Sequence, residues 1–375
     1  MKYLFISLVL IQAFTFSVSE DLDVYYKEYM KRYGFELEEY PVTAEDGHIL
    51  SIWHLQPKNP NGKVVYCQHG LGDTSWTFFQ LKHKSLPFFL VNEGFDVWLG
   101  NHRGNLFSAK FNPKIKDTGL FNCTMDDFVK YDLPAMINYV KSRTGVEKVY
   151  YLGHSQGTTV FFMLAMHDPA YVENNIERYV SLGAVPNIAY AQMSAIEILD
   201  KIAGILRAVK IFDTINLSNA QRNLVAGFCK LAHGLCGKAF DSGIAIHPSG
   251  RMNYTDIFNF LYYYPGGISK ANLLHWSQIH KLKKLVYYNP NFSKDQKAEP
   301  YNYENLKKWK IKTLIARTDD DTLSSYQDVT EFYMAVENKS LIQILELPNY
   351  SHVDVLDAEC AYEEVFMPII NFLKN

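Results

Sequence analysis

The chain has 375 residues, more than one compact core usually holds, so it reads as a large single domain with an insertion or as two domains. Hydrophobic residues make up 48% and charged residues 21%, which excludes a disordered or low-complexity protein. A formal charge of −3 without a basic stripe excludes a nucleic-acid binder, while 26 Tyr and 24 Phe suit a wide apolar cavity or interface.

The start of the chain has the pattern of a secretory signal over residues 1–19. Lys2 supplies the positive charge, Tyr3 to Phe16 the apolar run, and Ser17-Val18-Ser19 the small residues of a cleavage site before Glu20. The run is shorter than the roughly 18–20 apolar residues of a membrane span, and no second long run follows, so no transmembrane anchor is expected. Asn-x-Ser/Thr sequons at Asn122, Asn216, Asn253, Asn291 and Asn338 are glycosylation candidates for a chain on this route. A sixth, Asn349, lies three residues before His352 and is not expected to carry a glycan. Five cysteines leave at least one unpaired within the chain. Cys229 and Cys236 are the nearest pair, but on one continuous helix their Cα atoms would stand roughly 10 Å apart, so a bond requires a break near His233-Gly234. Buried free thiols are the alternative.

Apolar, β-branched runs bounded by turn residues predict strands at His48–Leu55, Lys63–Gln68, Phe95–Leu99, Lys148–Leu152, Arg178–Leu182, Ile311–Ala316 and Leu341–Leu347. Helical periodicity falls at Asp126–Ser142, Gln156–His167, Ser324–Val336 and Ala358–Leu373. Strands alternating with helices predict an α/β fold with a mostly parallel sheet. The alternation stops over residues 186–309, where Met193–Phe212 is amphipathic, with Ile196, Leu199, Ile202, Ala203, Leu206 and Val209 on one face. A second helical run, Asn219–Leu231, and the aromatic Phe258–Tyr264 follow. The expected organisation is a core from residues 20–185 and 310–375 interrupted by a helical cap or lid. Such blocks often gate an active site, though a second packing layer would give the same pattern.

The sharpest motif is Gly153-His154-Ser155-Gln156-Gly157, a G-x-S-x-G between the buried strand Val149–Leu152 and the helix that follows. A serine hydroxyl is a poor nucleophile until a base removes its proton, so it must be held out on a sharp turn within reach of that base. Flanking glycines let such a turn pack without a Cβ clash, and the helix N-terminus aims N–H groups at the reacting centre. A tetrahedral intermediate needs donors for its oxyanion. The Gln156 N–H follows the nucleophile, and the Leu71 N–H lies in the loop Gln68-His69-Gly70-Leu71-Gly72 after an early strand. His69 in that loop reads as structural. The acid and base should follow the serine in chain order. Beyond residue 280, His352 is the sole histidine, in a loop after the strand Leu341–Leu347. Asp319, Asp320 and Asp321 occupy the loop after Ile311–Ala316; Asp321 is expected to meet the imidazole, with the other two solvated.

These residues resemble the acid lipases, the gastric and lysosomal type of neutral-lipid ester hydrolase, over nearly all the chain that follows the signal. Glu39-Tyr40 with Val42 and Glu45 to Leu50 is similar to the family's opening strands, and Gln68 to Leu71 to its oxyanion loop. Val97 to Asn105, Tyr131 to Ala135, Gly153 to Thr159 and His275-Trp276-Ser277-Gln278 are similar to further family blocks, the last being its cap signature. The chain departs from the pattern at Arg317 to Asp320, where a Gly-rich turn is usual, at His102, where Ser is common, and at Asn122-Cys123-Thr124. Cys229 and Cys236 do not line up with the family's usual cap disulfide. The resemblance implies an α/β-hydrolase core with an inserted cap, Ser155, Asp321 and His352 as nucleophile, acid and base, and neither a metal nor an organic cofactor. It implies a lipid ester substrate met at a lipid–water interface, in a secreted or lysosomal protein. A small-ester carboxylesterase, or a lipid carrier on the same fold, are the rival expectations.

Overall fold

Where a short apolar run is closed by turn residues the chain forms a strand, and where apolar residues recur at helical spacing it returns over the sheet. The computed structural model describes residues 22–112, 122–191, 214–215, 263–293 and 297–375. The chain enters through helix α1 (Leu22–Arg32), then runs β1 (Glu38–Thr43), β2 (Ile49–Leu55), β3 (Val64–Gln68), α2 (Leu86–Asn92) and β4 (Asp96–Asn101). Helix α3 (Leu133–Thr144), β5 (Val149–His154), α4 (Gln156–His167) and β6 (Ile176–Leu182) follow. A two-stranded ribbon, β7 (Thr214–Ile215) with β8 (Ile268–Ser269), precedes α5 (Lys270–Leu282). The chain ends with β9 (Lys312–Thr318), α6 (Tyr326–Ala335), β10 (Ile342–Leu347) and α7 (Met367–Lys374).

Eight strands form one sheet in the order β1-β2-β4-β3-β5-β6-β9-β10. The β1–β2 and β2–β4 pairs are antiparallel and the other five pairs parallel, as the alternating pattern predicts. All seven predicted strands form, within three residues at each end. β1 escapes the pattern because it is an edge strand: its exposed residues are polar, and Pro41 removes a backbone donor that only an edge position tolerates. Apolar residues fill both faces of the sheet. One face packs against α3, α4 and α5, the other against α1, α2 and α7.

The latter part of the inserted block is bound into this core. Trp276, Ile279, Leu285, Val286, Tyr301 and Trp309 share one apolar cluster with α4 and β6, so from Trp276 onward the described part of the block packs as a layer on the sheet. Asp126 ties it to the helix that leads into α3, accepting from the Tyr288 N–H at 2.7 Å and the Tyr301 hydroxyl at 2.6 Å. The helical expectations for Met193–Phe212 and Asn219–Leu231, and the Cys229–Cys236 question, lie outside the described residues, as does the signal at 1–19. Among the described residues no helix is long and apolar enough to cross a membrane.

Candidate active site

The carboxyl ends of β3, β5, β9 and β10 converge, the place where open parallel sheets hold their ligands. At the end of β5 the chain turns sharply into α4 through Ser155, whose φ of 52° and ψ of −122° lie outside the regions that side-chain-bearing residues favour. Such a conformation costs of order 1–3 kcal/mol and persists only when its surroundings hold it. They do so here by close packing. A Cβ on Gly157 would stand 2.3 Å from the Gln68 carbonyl oxygen, and one on Gly153 2.8 Å from the Gly157 carbonyl carbon, so β3, β5 and α4 approach only because both residues are glycine. The Ser155 N–H donates to the Leu182 carbonyl at 3.0 Å, and the Ser155 carbonyl accepts from the Thr158 hydroxyl at 2.7 Å.

His352, in the turn after β10, brings Nε2 to 2.7 Å from the Ser155 hydroxyl oxygen and Nδ1 to 2.6 Å from Asp321 Oδ2. A neutral ring that donates from Nδ1 to the carboxylate keeps a lone pair on Nε2 for the serine proton. Asp321 is itself oriented, its Oδ1 accepting from the backbone N–H groups of Leu323 at 2.9 Å and Ser324 at 2.8 Å. Of the three acids in that loop, Asp321 alone is fully buried; Asp319 is exposed, and its Oδ1 accepts from the Asn349 N–H at 2.6 Å, bracing the turn that carries His352. The other side of His352 is closed by Gly183, where a Cβ would meet the ring at 3.2 Å.

The loop from His69 to Gly72 lies against Ser155, with Gly70 so close that a Cβ there would meet Ser155 Cβ at 3.0 Å. Gln156 opens α4, so its N–H has no acceptor within the helix. His69 does not touch the triad. Its Nδ1 donates to the Gly70 carbonyl at 2.9 Å, and its Nε2 accepts from the His102 N–H at 3.3 Å and Asn105 Nδ2 at 3.2 Å, joining the loops after β3 and β4. Burial holds His69 at about 3, with His102 adding to the shift, and holds His154 at about 3 with help from His352; both rings stay neutral in mild acid. Two further blocks singled out in the sequence meet beside this loop. Arg103 donates from its backbone N–H and its Nε to the buried Asp132 at 2.9 and 2.7 Å, and its guanidinium reaches Asp46. His102 stacks on Phe128 with centroids 4.2 Å apart. Among the described residues no group of His, Cys, Asp and Glu has the arrangement of a metal site.

The family described as alpha/beta hydrolase fold matches residues 63–358, and that described as partial alpha/beta-hydrolase lipase region matches residues 26–81. Human lipase member K is 30% identical over 92% of this chain and 89% of its own. This chain belongs to the α/β-hydrolase lipases. Mouse gastric triacylglycerol lipase is likewise 30% identical, over 92% of this lipase and 90% of its own length, and human lysosomal acid lipase/cholesteryl ester hydrolase 30% over 96% and 93%. Among solved structures, the lipase shares its fold with an esterase from Exiguobacterium antarcticum (TM-score 0.54, 13% identity, covering 90% and 100% of the two chains). A monoacylglycerol lipase from Paleococcus ferrophilus has a TM-score of 0.53 at 16% identity, covering 90% and 98%.

The structure thus brings Ser155, Asp321, His352, Gln156 and the Leu71 loop together at one end of the sheet. Of the sequons, Asn122, Asn291, Asn338 and Asn349 are exposed, while Asn216 and Asn253 lie outside the described residues. Two contacts were not legible in the sequence: that of Asp319, hidden in a run of acids, with the Asn349 N–H, and that of Asn272, whose Nδ2 donates to Gln156 Oε1 at 3.0 Å from a helix more than a hundred residues away.

Proposed function

We propose that this lipase hydrolyses the carboxylic esters of neutral lipids, triacylglycerol or sterol ester, through an acyl-enzyme on Ser155. The observation that carries the reading is the continuous relay from the Ser155 hydroxyl through His352 to Asp321, at 2.7 and 2.6 Å. His352 Nε2 takes the serine proton as the hydroxyl oxygen attacks the ester carbonyl, and Asp321 stabilises the imidazolium that forms. The Leu71 and Gln156 N–H groups receive the oxyanion. The imidazolium then protonates the leaving alcohol, and water, deprotonated by the same ring, releases the fatty acid from the serine. The names of the mouse gastric and human lysosomal relatives support the substrate class.

Residues 1–19 are read as a cleaved secretory signal, with secreted or lysosomal action and glycosylation at the exposed Asn122, Asn291 and Asn338. The test is fatty-acid release from emulsified long-chain triacylglycerol and sterol ester by wild type and by Ser155→Ala. Release lost in the variant is the expected result, and the faster substrate fixes the subclass. A folded wild type that releases fatty acid from neither, while cleaving short soluble esters, moves the protein to the small-ester carboxylesterases.

A further inference from the structure

The cap signature His275-Trp276-Ser277-Gln278 has no place in the mechanism above, yet its helix is the neighbour of the nucleophile turn. On α5, Asn272 and Trp276 are one helical turn apart and face the same way. Asn272 Nδ2 and Trp276 Nε1 donate to one acceptor, Gln156 Oε1, at 3.0 and 2.7 Å. All three side chains are buried, so this carboxamide oxygen has exchanged water for two fixed donors. The other members of the block hold α5 in place. His275 Nε2 bonds the Val286 carbonyl at 2.6 Å, and the Gln278 carboxamide bonds the Asn289 N–H at 3.0 Å and the Asn289 carbonyl at 2.7 Å.

The chain just before α5 braces the other half of the site. The Gly266 N–H donates to the Gly72 carbonyl at 2.7 Å, and the Gly266 carbonyl accepts from the Leu106 N–H at 2.7 Å. A Cβ on Gly72 would stand 2.7 Å from the Ile268 side chain, and one on Gly267 2.3 Å from the Gly104 carbonyl oxygen. Residues 266–268 are therefore wedged between the Leu71–Gly72 turn and the loop after β4. One continuous stretch touches Gly72, the neighbour of Leu71, and the side chain of Gln156, and Leu71 and Gln156 are the two residues read as oxyanion donors. An oxyanion hole works because its donors need no reorganisation when charge develops, so a part that fixes both acts on the transition state rather than on the ground state. The peptide between Ser155 and Gln156 is gripped at its carbonyl by the Thr158 hydroxyl at 2.7 Å and, one residue on, by the clamp on Gln156.

We propose that residues 266–276 form the positioning element of the oxyanion hole, with Asn272 and Trp276 as positioning residues that hold Gln156 and thereby aim its backbone N–H. The proposal rests on the hydrolase reading above.

The test uses the full chain with p-nitrophenyl butyrate and with an alkylphosphonate p-nitrophenyl ester, whose phosphoryl oxygen enters the oxyanion hole as it reacts with the serine. Trp276→Phe keeps a large ring and removes the donor; Asn272→Leu keeps the volume and removes the other. Each is expected to lower kcat about 10-fold, short of the 10²–10³ that follows loss of a whole donor. KM should stay within about twofold, and phosphonylation should slow in parallel with kcat. In a Gln156→Ala background, which keeps the N–H but offers no carboxamide to hold, the same substitutions should cost nothing more. An unchanged kcat in folded Trp276→Phe, or a full repeat of the loss in Gln156→Ala, overturns the positioning role; Asn272→Leu decides the matter if Trp276→Phe does not fold. Ser155→Ala separates the two levels. Turnover that survives in Ser155→Ala overturns the hydrolase reading and the proposal with it, whereas loss there beside an unchanged Trp276→Phe overturns the positioning role alone.

Discussion

Two histidines, one at each end of the sheet, stand between two oxygen partners in almost the same geometry. At the carboxyl end His352 faces the Ser155 hydroxyl at 2.7 Å and Asp321 at 2.6 Å. At the opposite end His54 of β2 faces Glu38 of β1 at 2.9 Å and Asp96 of β4 at 2.5 Å, and lies flat on Trp98 with centroids 3.9 Å apart. The partners make the difference. A hydroxyl can give up its proton, so His352 can accept on one side while donating on the other. Glu38 and Asp96 carry no hydroxyl proton to give up, so His54 has no such exchange to make. His54 ties β1, β2 and β4 together, whereas His352 is placed where it could pass a proton. Shape misleads on this point too. A cavity of about 390 Å³ lies beside His54, Tyr40 and Arg143, while the space beside Gln156 measures only about 20 Å³. Proton-accepting chemistry identifies the site, and cavity size does not.

Exchanging each histidine for alanine should separate activity from stability. His352→Ala should lower kcat/KM by roughly 10⁴–10⁶ with little change in thermal midpoint. His54→Ala should leave kcat/KM within about twofold and cost about 1–2 kcal/mol of stability, since it removes the ring that bonds both Glu38 and Asp96. Chemical denaturation beside ester turnover checks both, and a large activity loss in folded His54→Ala would contradict the division of roles. The acids extend the same contrast. Asp321→Asn should lower kcat by about 10⁴ because the amide favours the wrong tautomer of His352, whereas Asp96→Asn should act on stability alone.

Two buried groups near Ser155 titrate in opposite senses. Burial raises Asp73 to about 7, against hydrogen bonds from Thr74 and Thr77, and lowers His154 to about 3. The folded chain holds the Asp73 proton more tightly than the unfolded one, so this group costs stability as the pH rises from about 4 to 7. His154 works the other way, because the unfolded chain binds its proton first and stability is lost as the pH falls from about 6.5 to 3. Asp73→Asn should therefore raise the thermal midpoint more at pH 7 than at pH 4, and His154→Asn more at pH 4 than at pH 7. Midpoints of both variants across that range check the signs, the shifts corresponding to about 1–3 kcal/mol.

Much of the fold was legible because buried parallel strands carry a strong local signal. Val149–Leu152 and Val64–Cys67 are apolar or aromatic throughout, and the glycines around Ser155 mark a turn that few other residues would permit. Asp321 and His352 could be reached by chain order alone, since each follows a readable strand. What stayed hidden was set by tertiary neighbours. β1 is polar because water covers one side of it, and nothing local distinguishes Asp319 as the acceptor for Asn349. The His54 staple draws on three strands, and no spacing within one of them announces it. The clamp on Gln156 pairs residues more than a hundred positions apart, so the block around Trp276 could be noticed in the sequence but not understood there.

The pairing of β6 with β9 has a consequence for how the molecule is made. β6 ends at Leu182 and its partner begins at Lys312. At 5–20 residues per second, a ribosome takes roughly 6–26 s to supply the second strand after completing the first. For that interval the edge of Ile176–Leu182, a strand buried in the finished fold at every residue but Glu177, waits with its backbone groups unpaired, the kind of template on which nascent chains aggregate. His352 emerges later still, so the growing chain carries the Ser155 turn well before the imidazole that bonds its hydroxyl.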